Sequence, residues 1–155
     1  MALWLRLSFL SLVIILGMTQ ADECPPFWTR FQNNCYRFMG HNTTWQASED
    51  HCQEFFTRYG QSHLASVHSQ AEYKFLMTMW KTSARPPHSA LWLGASKVHD
   101  DFVWADGTQF DYTAWHTGEP NNARGQENCV VSWIDDWNDT ICSRSHPHIC
   151  KVAIA

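Results

Sequence analysis

Between Glu119 and Asp139 the chain gathers Glu119-Pro120-Asn121, then Glu127 close to Cys129, then Trp137-Asn138-Asp139 just before Cys142. Three carboxylates and two side-chain amides offer only oxygen atoms to a ligand. Hard divalent cations take oxygen. Ca2+ accepts about six to eight such atoms at roughly 2.3–2.6 Å, whereas Mg2+ demands a tighter octahedron and keeps its waters. Acidic residues in a loop are most often solvated surface, but this spacing and the flanking cysteines argue for a built site. The expected ligands are Glu119, Asn121, Glu127, Asn138 and Asp139, with Ca2+ as the cofactor. The Glu119–Pro120 bond is expected to be cis, a form that only an X–Pro bond takes cheaply.

Taken jointly and in this order, Glu-Pro-Asn, Glu127 near a cysteine and Trp-Asn-Asp before the next cysteine resemble the carbohydrate-recognition domain of C-type lectins. Leu91-Trp92-Leu93-Gly94 resembles that family's central Trp-Ile-Gly-Leu strand, and the likeness runs through all six cysteines. Among subgroups the chain is most similar to small secreted single-domain lectins of marine invertebrates. The resemblance implies an α+β fold of the long form, with two helices, short antiparallel sheets and a long calcium-binding loop region. It also implies three disulfides: Cys24–Cys35, Cys52–Cys150 and Cys129–Cys142.

For the site, the resemblance implies that two neighbouring sugar hydroxyls join the calcium and exchange hydrogen bonds with Glu119, Asn121, Glu127, Asn138 and Asp139. Ala123, Gln126, Arg124 and Thr140 stand at the expected lip, and Arg124 and Thr140 are carried forward as carbohydrate contacts. Glu-Pro-Asn goes with mannose, N-acetylglucosamine or fucose, and the reversed Gln-Pro-Asp order with galactose. An aromatic stacked beside the ion would admit galactose or N-acetylgalactosamine instead, and that specificity is the alternative. Protein-binding and matrix roles on the same fold are further alternatives. Trp115 and Trp137 match core tryptophans and are assigned to packing. Lys97, Asn122 and Asn128 stand where calcium-rich members carry acidic residues, so no auxiliary calcium site is expected.

The elements around the site follow from simpler patterns. Residues 1–21 read as a signal peptide: Arg6, an apolar Leu7 to Gly17 core, then Thr19-Gln20-Ala21 as a cleavage site. That core is shorter than a membrane span needs, so residues 22–155 are expected to be one secreted, extracellular domain without a membrane span. Eleven Lys and Arg against fifteen Asp and Glu, net −4 over 155 residues, disfavour phosphate-backbone binding. The expected partners are glycans on cell or microbial surfaces. An even cysteine count after a signal peptide reads as a disulfide framework, whose pairing arithmetic alone leaves open. With every thiol used, any homo-oligomer would be non-covalent.

Phe27-Trp28 and Cys35 to Phe38 read as a hairpin around Asn33-Asn34. Thr43-x-x-Gln46 reads as a capping box opening a helix to about Tyr59, with Trp45, Ser48, Cys52, Phe55 and Tyr59 inward. Ser69-x-x-Glu72 opens a second helix carrying Phe75, Leu76, Met79 and Trp80, which Pro86-Pro87 ends. Further strands are expected at Phe102 to Trp104, Cys129 to Trp133, around Asn138 to Cys142, and at His148 to Val152. From Asp111 to Gly125 no periodicity survives, as in long functional loops.

Neither a Gly-x-Ser-x-Gly nor a His-Glu-x-x-His pattern occurs, so an enzyme is not expected. His146-x-His148 lacks further zinc ligands once the cysteines pair, and the nine histidines are assigned to surface or packing. Asn42-Thr43-Thr44 is a glycosylation sequon and Asn42 its expected acceptor. Asn138-Asp139-Thr140 is also a sequon, expected to stay unmodified because a glycan there would block the ion.

Overall fold

The computed structural model describes residues 23–83 and 90–155. The expected signal peptide and the Pro86-Pro87 break lie outside the described residues. The chain opens with a hairpin of β1 (Thr29–Phe31) and β2 (Asn34–Thr43), in which Phe31 faces Asn34 across the turn. Gln32 takes φ 52° in that two-residue turn. Phe27 does not join the strand as expected: at φ 70° it leaves the extended region and its ring is 87% exposed.

α1 (Trp45–Cys52) is capped one residue later than the sequence suggests, with Thr44 Oγ1 accepting from Ala47 N at 3.3 Å. It also stops well short of Tyr59. Cys52 is bonded to Cys150, and just beyond it the chain turns into a small hairpin of β3 (Phe56–Thr57) and β4 (Gly60–Gln61). Tyr59 sits exposed at the tip of that hairpin instead of facing the core. β5 (His63–Leu64) then joins the main sheet.

α2 (Gln70–Ser83) begins where the second capping box puts it, and Ser69 Oγ accepts from Glu72 N at 3.1 Å. The Glu72 carboxylate has other partners. It accepts from His68 N at 2.7 Å, Tyr36 Oη at 2.5 Å and Lys151 Nζ at 2.8 Å. Burial, reinforced by the Glu72 charge, pushes the Tyr36 phenol far above its ordinary value. Tyr73, Leu76, Met77 and Trp80 form the buried stripe, while Phe75 and Met79 pack at its margin.

β6 (Ala90–Val98), β7 (Asp101–Trp104), β8 (Cys129–Trp133), β9 (Asp136–Thr140) and β10 (His146–Ala153) complete the set. The sheet order is β1-β2-β10-β6-β8-β9, with β7 on β6 and β5 on β10. Pairing is antiparallel except between β6 and β10. β6 is the hub: Leu91, Trp92, Leu93 and Ala95 are fully buried. At Gly94 a Cβ would lie 2.4 Å from the Leu64 carbonyl oxygen, so glycine is what lets β5 approach β6. The three disulfides are Cys24–Cys35, Cys52–Cys150 and Cys129–Cys142, the pairing the family resemblance implies.

Candidate functional site

The segment between β7 and β8 runs from Ala105 to Asn128, and its only helical piece is a 3-10 turn at Ala123–Gly125. Backbone bonds fix it against β9. Ala114 O accepts from Trp137 N at 2.7 Å, Trp137 O accepts from His116 N at 2.9 Å, and Trp115 bridges Trp137 in parallel. A further bond of 2.9 Å from Glu119 N to His116 O starts the next turn. This ladder is why Asn121 and Asn122 meet Asp139, which is distant in sequence. Beneath it, Trp137 is fully buried among Tyr73, Trp104, Tyr112 and Trp115, with ring centres 5.6–6.0 Å away. Trp115 packs on Phe102 as well. Both tryptophans therefore belong to the packing.

The Glu119–Pro120 bond is cis. Asn121 N lies 3.1 Å from both Glu119 Oε2 and Asp139 Oδ1, and Asn122 N donates to Asp139 Oδ2 at 2.8 Å. Ala123 N donates to Glu127 Oε2 at 3.0 Å. Successive backbone amides thus hold the three carboxylates. Asn121 Nδ2 donates to Glu119 Oε1 at 2.9 Å, and Asn138 Nδ2 to Asp139 O at 2.8 Å. Each amide group so engaged leaves its side-chain oxygen as an acceptor.

Burial grades across the group. Asp139 is fully enclosed, Glu127 is 8% exposed, Glu119 and Asn138 are half-buried, and Asn121 is exposed. Partial burial raises the Glu119 carboxyl above its ordinary value, and contact with Asp139 and the Glu127 charge push it further. A site short of positive charge, built from oxygen donors alone, fits a hard dication and not a thiophilic one.

The lip is only partly as expected. Ala123, Arg124 and Gln126 are exposed, and Arg124 is held at φ 58°, a region few non-glycine residues enter. Thr140 must be corrected. It is 1% exposed, paired with Cys129 across β8 and β9, so its side chain lies inside the sheet and not at the surface. Lys97 places its ammonium 5.2 Å from the Phe102 ring centre.

One contributor escaped the sequence reading. Asn122 sits at φ 45° and its Oδ1 accepts from Glu127 N at 3.1 Å, tying the two ends of the turn together. The signal was there, since Asn tolerates the left-handed region and bonds locally to backbone. Asn42, the expected glycan acceptor, is exposed at the end of β2.

Residues 41–152 match the lectin C-type domain family. The alpha-N-acetylgalactosamine-specific lectin of Patiria pectinifera is 36% identical over 99% of this chain and 98% of its own length. C-type mannose receptor 2 of Homo sapiens is 38% identical over 84% of this chain, which spans only 9% of that protein. The crystal structure of C-type lectin CEL-I from Cucumaria echinata superimposes with a TM-score of 0.81 at 28% identity, covering 86% of this chain and 99% of that one.

Proposed function

The chain belongs to the lectin C-type domain family, and on that premise we propose that it is a secreted, calcium-dependent lectin with a mannose-type preference. Binding of carbohydrate without catalysis is the property of the family. The dication, the sugar class and secretion are our reading. Among the described residues no helix is long and apolar enough to cross a membrane. The intended partners are glycans on cell or microbial surfaces.

The observation that carries the reading is the convergence of the Glu119, Glu127 and Asp139 carboxylates on the successive backbone amides of Asn121, Asn122 and Ala123, with Asn138 next to Asp139 in sequence. These five residues would hold Ca2+, which supplies open coordination positions for two neighbouring hydroxyls. Everything else is done by the side chains. Glu119 and Glu127 accept the hydroxyl protons, while Asn121 and Asn138 donate amide protons to the hydroxyl oxygens. Asp139, enclosed and doubly hydrogen-bonded, fixes the loop beneath the ion. Acceptor then donor, in the order Glu119, Asn121, suits a pair of equatorial hydroxyls such as the 3- and 4-positions of mannose. Arg124 at the exposed lip supplies a secondary contact.

A second reading, for galactose or N-acetylgalactosamine, is favoured by the specificity that the name of the Patiria pectinifera lectin states. It needs an aromatic face beside the loop to reorient the sugar, and Trp137 is buried too deeply to supply one. Glycan-array binding with and without EDTA tests calcium dependence and separates a lectin from a protein-binding or matrix role. Competition by free mannose and by N-acetylgalactosamine, on wild type and on the double variant Glu119→Gln, Asn121→Asp, tests the sugar class. Mannose should compete with wild type, and the swap should shift preference toward N-acetylgalactosamine. Wild type inhibited only by N-acetylgalactosamine, with no effect of the swap, refutes the mannose reading.

A further inference from the structure

Three histidines from three elements converge on the other part of the sheet. His41 lies on β2, His51 in the last turn of α1 and His148 on β10, with β6 between that region and β8–β9. One ring nitrogen from each lies within 4.8 Å of one from each of the other two. His51 Nδ1 and His148 Nε2 stand 3.1 Å apart. The rings do not stack: their centres are 4.8, 5.0 and 5.3 Å apart and their planes cross at 67°, 87° and 85°. Imidazole nitrogens about 2.0–2.1 Å from a tetrahedral zinc stand roughly 3.3 Å apart, with ring centres about 5 Å apart. The three ring-centre spacings and the 3.1 Å His51–His148 separation match that arrangement.

Two features hold it in place. Between the pairs His146–Thr43 and His148–Met39, β2 advances four residues while β10 advances two, and this bulge contains His41. Such irregularities re-aim side chains. The Cys52–Cys150 bridge joins the residue after His51 to the strand of His148, so these two rings keep their spacing. A plain hydrogen bond accounts for the His51–His148 pair alone. It leaves His41 without a part. Nδ1 of the fully buried His148 lacks a partner among the described residues with or without an ion at Nε2. His146 is not a member, since its ring packs on Trp92 with centres 4.8 Å apart.

We propose that His41, His51 and His148 form a binding site for a borderline divalent transition cation, Zn2+ foremost, with its fourth position open to solvent beside exposed His41. Three imidazoles suit Zn2+, Cu2+ or Ni2+ and give a calcium ion nothing it prefers. The site is therefore chemically distinct from the acidic loop. Burial and the neighbouring His41 and His51 lower His148 to about 3. Burial, then His41, lowers His51, with Arg37 lowering it further against the opposing charge of Glu54. Imidazole ligates a metal in its neutral form. Because His148 Nδ1 lacks the outer hydrogen bond that braces most ligating histidines, affinity should fall about 10–100-fold short of a fully braced site.

The test uses untagged secreted protein in saturating CaCl2, so that the acidic loop is filled, titrated with ZnCl2 by calorimetry. Wild type should take up one Zn2+ per chain, and Co2+ in its place should show the visible bands of tetrahedral coordination. His41→Ala, at an exposed position, should fold normally and lose more affinity than the about 10–100-fold that an outer partner is worth. His51→Gln should do the same and serves as the second variant. His116→Ala, on an exposed histidine that pairs with Asp136, should bind as wild type. No saturable uptake by wild type, uptake that excess calcium abolishes, or wild-type affinity in both cluster variants would overturn the proposal.

Discussion

Changing Asp139 to Asn preserves shape and removes one charge from the most enclosed carboxylate of the loop. Its Oδ1 and Oδ2 accept from Asn121 N at 3.1 Å and Asn122 N at 2.8 Å. An amide can satisfy only one of these donors, because its NH2 faces the other N–H. A hydrogen bond to a charged group is worth about 1.5–3 kcal/mol. That loss lowers stability with or without the ion, whereas the lost ligand charge lowers calcium affinity, by about tenfold for each 1.4 kcal/mol. A second effect runs the other way. Asp139 crowds Glu119 and helps raise its pKa, so removing the charge also relieves repulsion when no cation is bound. The variant should accordingly suffer more in calcium than in chelator. At a calcium concentration of about 100 times the wild-type Kd, wild type gains about 2.7 kcal/mol, and a variant binding ~100-fold more weakly gains about 0.4 kcal/mol. Thermal melts in CaCl2 and in EDTA, with calorimetric calcium titrations, read both quantities. Affinity within about threefold of wild type, or an unchanged calcium-induced gain, would remove Asp139 from the ligand set.

Glycan binding should be lost in EDTA and should weaken on acidification, because protons compete with calcium for the carboxylates. The raised pKa of Glu119 places the onset above the ordinary carboxyl value of 4.5, and added calcium should move the midpoint to lower pH; column retention on immobilised mannan across a pH series measures it. Glu72→Ala leaves Lys151 buried without its carboxylate and should cost about 3–5 kcal/mol in urea unfolding; Glu72→Gln, which still accepts from His68 N, should cost less. Glycopeptide mapping of secreted protein should find Asn42 occupied and Asn138 bare, and an occupied Asn138 would contradict its role as a calcium ligand.

Local chemistry made several features legible in the sequence. Ser69 and Glu72 specify a helix start through neighbouring backbone groups, and α2 begins there. The apolar run Cys129 to Trp133 is a strand with those bounds, since burial on both faces needs no alternation. The ion-ligand candidates and the cysteine pairing were legible through their joint spacing in a known family. Other features depended on what each segment meets in space. Thr43 and Thr44 are both capping residues by type, and the pairing of β2 with β10 decides that Thr44 takes the role. Thr140 is polar and near a loop, yet pairing with Cys129 turns it inward. α1 stops at Cys52 and not near Tyr59, because helical spacing cannot register a covalent tie to Cys150. The histidine cluster was the least legible of all. His51 and His148 are 97 residues apart, and nothing in either's surroundings announces the other. Only a bulge, a helix end and a disulfide, acting together in the folded chain, bring those rings to one point.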